Sequence, residues 1–585
     1  RLVSGRFNEF IRHFRLVLLG NAAAPVCPGR NGNFTDKRMK KWLFLTLFLL
    51  TPLWAQAEVK FEDLSFDEKL GQTLVLFVDV DSAEQNRKAI ESGKIGGVLI
   101  QWGNYSLKQT TDLVTKLQTW AARSPHKIPL LISIDYEGGT VYTPITLGFE
   151  YLPTNMMFSA TQDEDAAATA AYLAGLELRR AGVHINFSPV LDVNSNPHNP
   201  IIGVRSFGSD PANVTKMGVA LMNGFQAAGI ISVVKHFPGH GNTTVDSHYR
   251  VPVVHDSKAV IEKIHLAPFA EAIRQGVPGV MTGHIMYPAL DDRNISTFSR
   301  PILHGLLREK MGFKGFVVTD SLDMKSTTFF CKIPDCAVKS LDAGGDMLLL
   351  GRYIKPDTVF AQMKATLLKR KDNTRMEEAA RRIFELKKDL GLLDGPLPVP
   401  GPTDKAFLAA LQDVSDKAVT LVRDRRRLLP FKPARADGKK PTVCAVFFAP
   451  ARFADQLPDF GKPFLENGWN VRTYNAALTP RAKDSRRAAA CAKGADLLVL
   501  TSLQWADKTN INQKNAINGL IQENPNTVFI STMSPYDIPN YPEADAVLAT
   551  YGMSRYALQS AAKLILGEIK PHGHLPVELE EKALL

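Results

Sequence analysis

The residue types that can do chemistry are concentrated between Lys235 and His248. An apolar run at residues 230–234 precedes them, so Lys235 and His236 are predicted at the C-terminal tip of a buried strand. In a β/α enzyme, that end of a strand carries the active site. A proline and two glycines then exclude a helix, and the loop returns with Asp246 and His248, whose spacing lets a carboxylate hold an imidazole. The pattern predicts a His–Asp dyad for proton transfer.

A zinc site is the competing interpretation of this loop. His236 and His240 have the H-x3-H spacing of some zinc ligands. That spacing aligns two ligands only on a helix, and the Pro238-Gly239 pair between them removes the helix. We therefore expect no metal site, and nothing else in the sequence indicates a cofactor.

Four stretches of the chain resemble glycoside hydrolase family 3, specifically its bacterial β-N-acetylglucosaminidase branch (the β-N-acetylhexosaminidases). They are residues 135–139, 205–208, 235–248 and 317–324. The third is fourteen residues long and rich in rare residue types, which makes the match specific. The resemblance covers nearly all of the chain from about residue 60. It implies a retaining glycoside hydrolase.

The resemblance also implies roles for individual residues. Asp320 matches the nucleophile, His248 the acid/base and Asp246 its partner. Sugar binding falls to Asp135, Arg205, Lys235, His236 and His284. A nearby carboxylate favours the imidazolium form, so a histidine can exchange protons near neutral pH without the large pKa elevation that a glutamate would need. The glycines of the loop predict that its histidine can swing towards the sugar and away from it.

The chain departs from the family pattern at one place. After residues 137–139 the family usually carries arginines, whereas this chain has Thr140 and Thr143 around Val141 and Tyr142. Loss of a charge-assisted hydrogen bond costs about 1.5–3 kcal/mol. We expect weaker sugar binding, with the catalytic trio retained.

Apolar runs alternate with helical patterns between residues 60 and 395. The predicted strands are 73–78, 97–100, 129–134, 185–189, 231–235, 280–283, 316–319 and 346–350. Helical patterns at 166–180, 214–228 and 259–274 supply crossovers. Polar residues follow five of the strands, namely Asp135, Asp192, Lys235, His284 and Asp320. Eight strands with one polar end predict an α/β fold of the (β/α)8, TIM-barrel type with its active site at that end.

A Pro- and Gly-rich stretch after a last barrel helix at 376–390 marks a domain boundary. Apolar strands near 443–448, 497–500, 528–530 and 546–549 then indicate a second, sandwich-like α/β domain, which also resembles that of many family members. The predicted division is a leader or non-native extension at 1–38, a signal peptide at 39–57, the barrel at 58–395, a linker at 396–417 and the C-terminal domain at 418–585.

Residues 39–57 have the features of a secretory signal peptide. A short basic start precedes an apolar run too short to span a bilayer, and an Ala-x-Ala site ends at Ala57. An uncleaved membrane anchor is the alternative. We expect a periplasmic or secreted mature chain without a stable membrane span. In such a compartment Cys331 and Cys336 could close a small loop, whereas Cys444 and Cys491 are expected to be unpaired, small buried side chains.

The charge of the chain bears on its partners. The formal net charge of the chain is +11, and residues 1–57 contribute +7 of it. The mature chain therefore gives no electrostatic case for nucleic acid and a weak one for anionic cell-wall polymers. We expect a monomer whose partners are N-acetylglucosamine-containing saccharides.

The leading hypothesis is an exo-β-N-acetylhexosaminidase that releases terminal N-acetylglucosamine from peptidoglycan fragments or chitin-type oligosaccharides. A β-glucosidase of the same family is one alternative, but those enzymes usually take their acid from a second-domain glutamate. A phosphorylase is another, because a histidine acid/base tolerates an incoming phosphate dianion. A non-catalytic sugar-binding relative is the third.

Overall fold

A computed structural model describes residues 59–101, 103–139, 147–433, 438–504 and 510–580. The predicted leader, the predicted signal peptide and the divergent segment from Thr140 to Thr143 lie outside these ranges. Within them, no helix is both long and apolar enough to cross a bilayer.

The first half of the chain forms an eight-stranded parallel sheet. Its strands are β1 (Leu74–Val78), β2 (Gly97–Ile100), β3 (Leu131–Ile134), β4 (Ile185–Asn186), β5 (Ile231–Phe237), β6 (Gly279–Thr282), β9 (Phe316–Thr319) and β10 (Leu348–Leu349). A hairpin of β7 (Met286–Tyr287) and β8 (Asp291–Ile295) stands apart from it. The sheet runs β10-β1-β2-β3-β4-β5-β6-β9, and a bridge between Val318 and Met347 brings its two ends together. The predicted barrel is confirmed.

The barrel strands are mostly apolar because both of their faces are buried. The interior holds Val75, Leu99, Leu131, Val233 and Val318, each almost inaccessible to solvent. Helices cover the outer face, as parallel sheets require. This is why continuous apolar runs, rather than alternating ones, identified the strands.

The helices of the barrel domain are Phe66–Gln72, Arg87–Glu91, Leu107–Ala121, Asn155–Thr161, Glu164–Arg180, Pro211–Ala227, Lys258–Val260, Ala267–Arg274, Lys325–Thr328, Ile333–Ala343, Pro356–Leu368 and Thr374–Asp389. The helix predicted at 259–274 is interrupted, because a wider π-helical turn, Ile261–His265, separates two α-helical pieces. Pro268 opens the second piece and has no N–H to donate to the preceding turn. A second π-helix spans Pro301–Lys310.

The second half of the chain forms a six-stranded sheet of β11 (Thr420–Asp424), β12 (Thr442–Phe448), β13 (Asn470–Ala476), β14 (Leu497–Ser502), β15 (Thr527–Ser531) and β16 (Ala546–Ala549). Its order is β11-β16-β15-β14-β12-β13, parallel except for β11. Four helices accompany it, Gly461–Glu466, Ala482–Ala492, Ile511–Ile521 and Arg555–Leu566. The predicted linker is irregular only in its first part, since a helix, Asp404–Ala418, occupies the rest.

Two disulfides form, and one of them corrects the sequence prediction. Cys331 and Cys336 pair across five positions, with Cα atoms 5.4 Å apart. Cys444 and Cys491, predicted to be unpaired, also form a disulfide, with Cα atoms 5.9 Å apart. The helix Ala482–Ala492 packs on β12 and brings the two residues together, although 47 positions separate them in the chain.

The second domain packs against the loops at the active-site end of the barrel. Pro576 accepts a hydrogen bond from the Ser209 amide, 3.1 Å away. The same carbonyl lies 2.1 Å from the position that a Cβ atom on Gly208 would occupy. Asn194 donates to the hydroxyl of Tyr536 in the second domain at 3.3 Å. The glycine of the 205–208 motif thus permits close approach of the second domain.

Candidate active site

Asp320 follows β9 at the C-terminal end of the barrel. Its Oδ1 atom accepts a hydrogen bond from the Ser321 amide at 2.7 Å. Burial would raise the pKa of Asp320, but the imidazoles of His284, His236 and His248 and the Ser321 amide outweigh it and hold that pKa far below its usual range. The carboxylate is therefore ionised at any physiological pH.

The predicted dyad forms on the loop after β5. Nδ1 of His248 lies 2.8 Å from Oδ1 of Asp246, and the His248 amide donates to the same oxygen at 2.8 Å. The hydrogen bond to Asp246 raises the pKa of His248 against the opposing effect of burial, and the charge of Asp320 raises it further. The imidazole is 42% exposed, so a ligand can reach it. The pair suits proton exchange near neutral pH.

Hydrogen bonds anchor the loop that carries the dyad. The Asn199 amide donates to the carbonyls of His240 and Gly241 at 2.8 and 3.0 Å. The His240 ring contacts the Ser247 hydroxyl at 3.0 Å, and the Lys325 amide donates to the His248 carbonyl at 3.3 Å. A Cβ atom on Gly241 would lie 1.6 Å from the Val193 carbonyl oxygen, so close packing explains this glycine. The predicted swing of the loop stays a prediction.

A compact ion network lies beside Asp320. Glu137 accepts a bidentate contact from Arg205, at 2.7 and 2.9 Å, and an ion pair from Lys235 at 2.6 Å. Lys235 also contacts Asp135 at 2.7 Å. Burial would raise the pKa of Glu137, but the two cations lower it to about 2. The charges of the two cations and the two carboxylates cancel. Asp135 is 18% exposed, so it is the member of the network that a ligand can reach most easily.

His236 connects this network to a buried carboxylate. Its Nδ1 atom lies 2.7 Å from Oδ2 of Asp192, and its Nε2 atom lies 3.3 Å from Nη2 of Arg205. Nδ1 thus faces the Asp192 carboxylate, and Nε2 faces a guanidinium that can only donate. Asp192 thereby fixes the orientation of the ring.

His284 lies fully buried after β6. Its Nε2 atom contacts the Ser321 carbonyl at 3.0 Å, and its Nδ1 atom contacts the Thr297 hydroxyl at 2.7 Å. Burial lowers its pKa against the opposing influence of the Asp320 carboxylate. The ring holds the backbone next to Asp320.

The second histidine of the H-x3-H spacing also has its ring nitrogens occupied. In His240, Nδ1 contacts Thr243 at 2.7 Å and Nε2 contacts Ser247. Across the described ranges, no cluster of three His, Cys, Asp or Glu side chains is arranged to hold a metal ion.

The structure brings together the residues that the sequence singled out, and it adds two. Asp320, His248, Asp246, Asp135, Arg205, Lys235 and His236 gather at one end of the barrel, with His284 beneath Ser321. No individual role was predicted for Glu137 or Asp192, although Asp192 is one of the five polar strand-end residues and Glu137 lies inside the 135–139 motif. That position was the available signal.

Comparisons with known proteins find relatives over most of the chain. Residues 65–386 match the Glycosyl hydrolase family 3 N terminal domain, more than half of the chain. The chain is 30% identical to beta-hexosaminidase A of Pseudoalteromonas piscicida, covering 83% of this chain and 89% of the relative. It is 29% identical to a beta-N-acetylglucosaminidase/beta-glucosidase of Cellulomonas fimi, covering 88% and 94%.

A solved structure shares both domains. The glycoside hydrolase family 3 beta-N-acetylglucosaminidase from Paenibacillus sp. str. FPU-7 superposes with a TM-score of 0.79 at 30% identity, covering 88% of this chain and 99% of that one. The barrel and the second α/β sheet thus recur together in a member of one family. As its motifs predicted, the chain belongs to glycosyl hydrolase family 3.

Proposed function

We propose that the chain is a retaining exo-β-N-acetylhexosaminidase that releases terminal β-linked N-acetylglucosamine. The observation that carries the proposal is the pair of an ionised Asp320 and the His248–Asp246 dyad at one end of the barrel. Retaining hydrolysis needs a carboxylate nucleophile and a separate group that protonates the leaving oxygen. The names of the relatives above support the sugar specificity.

The geometry assigns one role to each group. An Asp320 oxygen attacks the anomeric carbon while protonated His248 gives its proton to the glycosidic oxygen, so the C–O bond breaks and the leaving sugar departs as an alcohol. Neutral His248 then removes a proton from water, and the resulting hydroxide displaces Asp320 from the anomeric carbon. Asp246 stabilises the imidazolium of His248 that donates the proton in the first step and the imidazolium that forms again in the second step.

The sugar is held by the ion network. Asp135 accepts hydrogen bonds from vicinal hydroxyls, since it is the most exposed carboxylate of the network. Lys235 and Arg205 donate to the sugar hydroxyls, and Glu137 keeps the two cations in place. His236 contacts Arg205 through its Nε2 atom and so helps to position it. The network is buried, so each charged contact is worth more than it would be in water.

His284 is assigned a positioning role instead of the sugar contact expected from the sequence. Both of its ring nitrogens are engaged by Thr297 and Ser321. It therefore acts on the sugar only through the placement of Asp320.

The mature enzyme works in the periplasm or outside the cell, on peptidoglycan fragments or chitin-type oligosaccharides. The two disulfides support this location, because such bonds persist in oxidising compartments and are rare in the cytosol. Cleavage after Ala57 produces this form, and N-terminal sequencing of exported protein tests it.

One assay tests the function against its alternatives. A chromogenic N-acetylglucosaminide and the matching glucoside are compared, with and without inorganic phosphate. We expect turnover of the first compound in excess of the second, with free N-acetylglucosamine as product under both conditions. Sugar 1-phosphate as the main product would establish a phosphorylase, preference for the glucoside a β-glucosidase, and binding without turnover a non-catalytic relative.

A further inference from the structure

Three aromatic side chains in the described part of the chain are strongly exposed. They are Tyr249 at 75%, Phe329 at 78% and Tyr353 at 88%. Each belongs to a loop that follows a barrel strand, β5, β9 and β10 respectively, at the end that carries the active site. Exposed large apolar side chains grouped at one place on a surface indicate a binding function.

Tyr249 and Phe329 line the same groove, which has a volume of about 610 Å3. Phe330 also lines it and packs edge-on against Phe329, with ring centroids 5.2 Å apart. Phe298 supports Phe330 from the other side at 6.4 Å, and Cys331 begins the disulfide loop directly after it. Ring contacts therefore support Phe329 and Phe330 on one side of the groove.

The groove adjoins the acid/base. Tyr249 is the next residue after His248, and Lys325, which also lines the groove, donates its backbone N–H to the His248 carbonyl at 3.3 Å. A general acid must lie next to the oxygen that joins the cleaved sugar to its leaving group. The groove therefore lies on the leaving-group side of the site.

The lining has the character of a carbohydrate site. Its walls are mostly apolar, with Arg250 and Lys325 as cationic donors, and no carboxylate lines it. Neither cation forms an ion pair with any described carboxylate. The C–H face of a pyranose packs on an aromatic ring, while its hydroxyls accept from side-chain donors.

We infer that this groove binds the leaving saccharide, with Tyr249 and Phe329 as stacking platforms that select saccharide over small leaving groups. The inference rests on the proposed function, because it takes His248 as the acid. It makes the preferred substrate an oligosaccharide, not a simple glycoside.

Two substrates separate the groove from the catalytic step. N,N′-diacetylchitobiose has a saccharide leaving group, whereas β-N-acetylglucosaminyl fluoride has a leaving group of one atom that cannot fill the groove. We expect Phe329→Ala and Tyr249→Ala each to lower the ratio of chitobiose to fluoride kcat/KM about tenfold, the equivalent of about 1.4 kcal/mol of lost binding. Phe329→Trp should restore the ratio, because it restores the platform.

Tyr353→Ala is the matched control, since Tyr353 is exposed at the same end of the barrel but does not line the groove. The ratio of chitobiose to fluoride kcat/KM in Tyr353→Ala should equal that of the wild type. An unchanged ratio in the Phe329 and Tyr249 variants would overturn the inference while the function stands. Failure of the wild type to cleave either substrate would overturn both.

Discussion

The Nδ1 atom of His248 lies 2.8 Å from the Oδ1 atom of Asp246, and this contact favours the protonated form of the proposed acid/base. Asp246 raises the pKa of His248 above its ordinary value of 6.5. Glycosidic cleavage needs the protonated ring, so kcat/KM falls as pH rises through that raised pKa. The alkaline limb of the pH profile thus reports the dyad.

Asp246→Asn should move the alkaline limb of kcat/KM to lower pH, because the amide cannot stabilise the imidazolium as a carboxylate does. The pH profile of kcat/KM on N,N′-diacetylchitobiose measures this shift, because its saccharide leaving group needs the proton. Asp256→Asn is the matched control, since Asp256 forms a second His–Asp pair on the same loop, 2.7 Å from His265. The alkaline limb of kcat/KM in Asp256→Asn should stay at the wild-type pH. If the alkaline limb also stays there in Asp246→Asn, Asp246 does not control the protonation of His248.

His248→Ala should slow poor leaving groups by about 10²–10⁴-fold and activated aryl leaving groups much less, since the latter depart as anions without a proton. Azide should partly restore turnover by attacking the glycosyl-enzyme, and the product should be the β-linked azide. His255→Ala, another exposed histidine on the loop, serves as control. Equal losses on both kinds of leaving group, with no azide product, would mean that His248 is not the acid.

Glu137→Gln should cost one to two orders of magnitude in kcat/KM, because charge-assisted hydrogen bonds to Arg205 and Lys235 are worth about 1.5–3 kcal/mol. The free energy of unfolding should also be lower in Glu137→Gln than in the wild type at neutral pH. The pKa of Glu137 is lowered to about 2 from an ordinary 4.5, so its contribution is complete above pH 4.5 and is lost as pH falls towards 2. Chemical denaturation of the wild type and the variant measures the free energy of unfolding at pH 7 and at pH 3.

The Glu137→Gln variant should therefore differ from the wild type most at pH 7 and least at low pH. Glu262→Gln is its control, an exposed glutamate paired with Lys310. A Glu137→Gln enzyme with wild-type kinetics would show that the network does not position the sugar site.

Lys387→Met should increase stability at neutral and acidic pH. Lys387 is fully buried, contacts the Gln72 side chain at 2.6 Å, and has its pKa lowered by burial from 10.5 to about 7. The folded state therefore disfavours the proton, and wild-type stability rises between pH 7 and pH 10.5. The variant should lack this rise when its free energy of unfolding is measured at pH 6, 8 and 10. A parallel pH dependence in both proteins would contradict the shift.

The barrel was predictable because its strands are buried on both faces, which leaves uninterrupted apolar runs such as residues 316–319. The strand Asn470–Ala476 was not predicted. It is the edge strand of the second sheet, and Asn470, Thr473 and Asn475 are exposed, so its sequence is largely polar. In the sequence, only Pro268 indicates that the helix is interrupted by the π-helical turn at Ile261–His265.

The proposed catalytic residues follow from local motifs, whereas the residues that support them do not. Asp320 and the Asp246–His248 pair lie in short signatures. Glu137 acts through cations 68 and 98 positions away, and the Cys444–Cys491 disulfide depends on how a helix packs on a strand. Contacts of this kind follow from the assembled fold and leave no local pattern.

The identity of the nucleophile is the central claim, and trapping tests it most directly. A 5-fluoro-N-acetylglucosaminyl fluoride forms the glycosyl-enzyme quickly and releases it slowly, because the ring fluorine destabilises the oxocarbenium-like transition states while fluoride departs readily. Mass spectrometry of the digested protein should find one added sugar on Asp320, and none in Asp320→Ala. A sugar on another residue, such as Asp323, or an active enzyme that never carries a covalent sugar, would contradict the account.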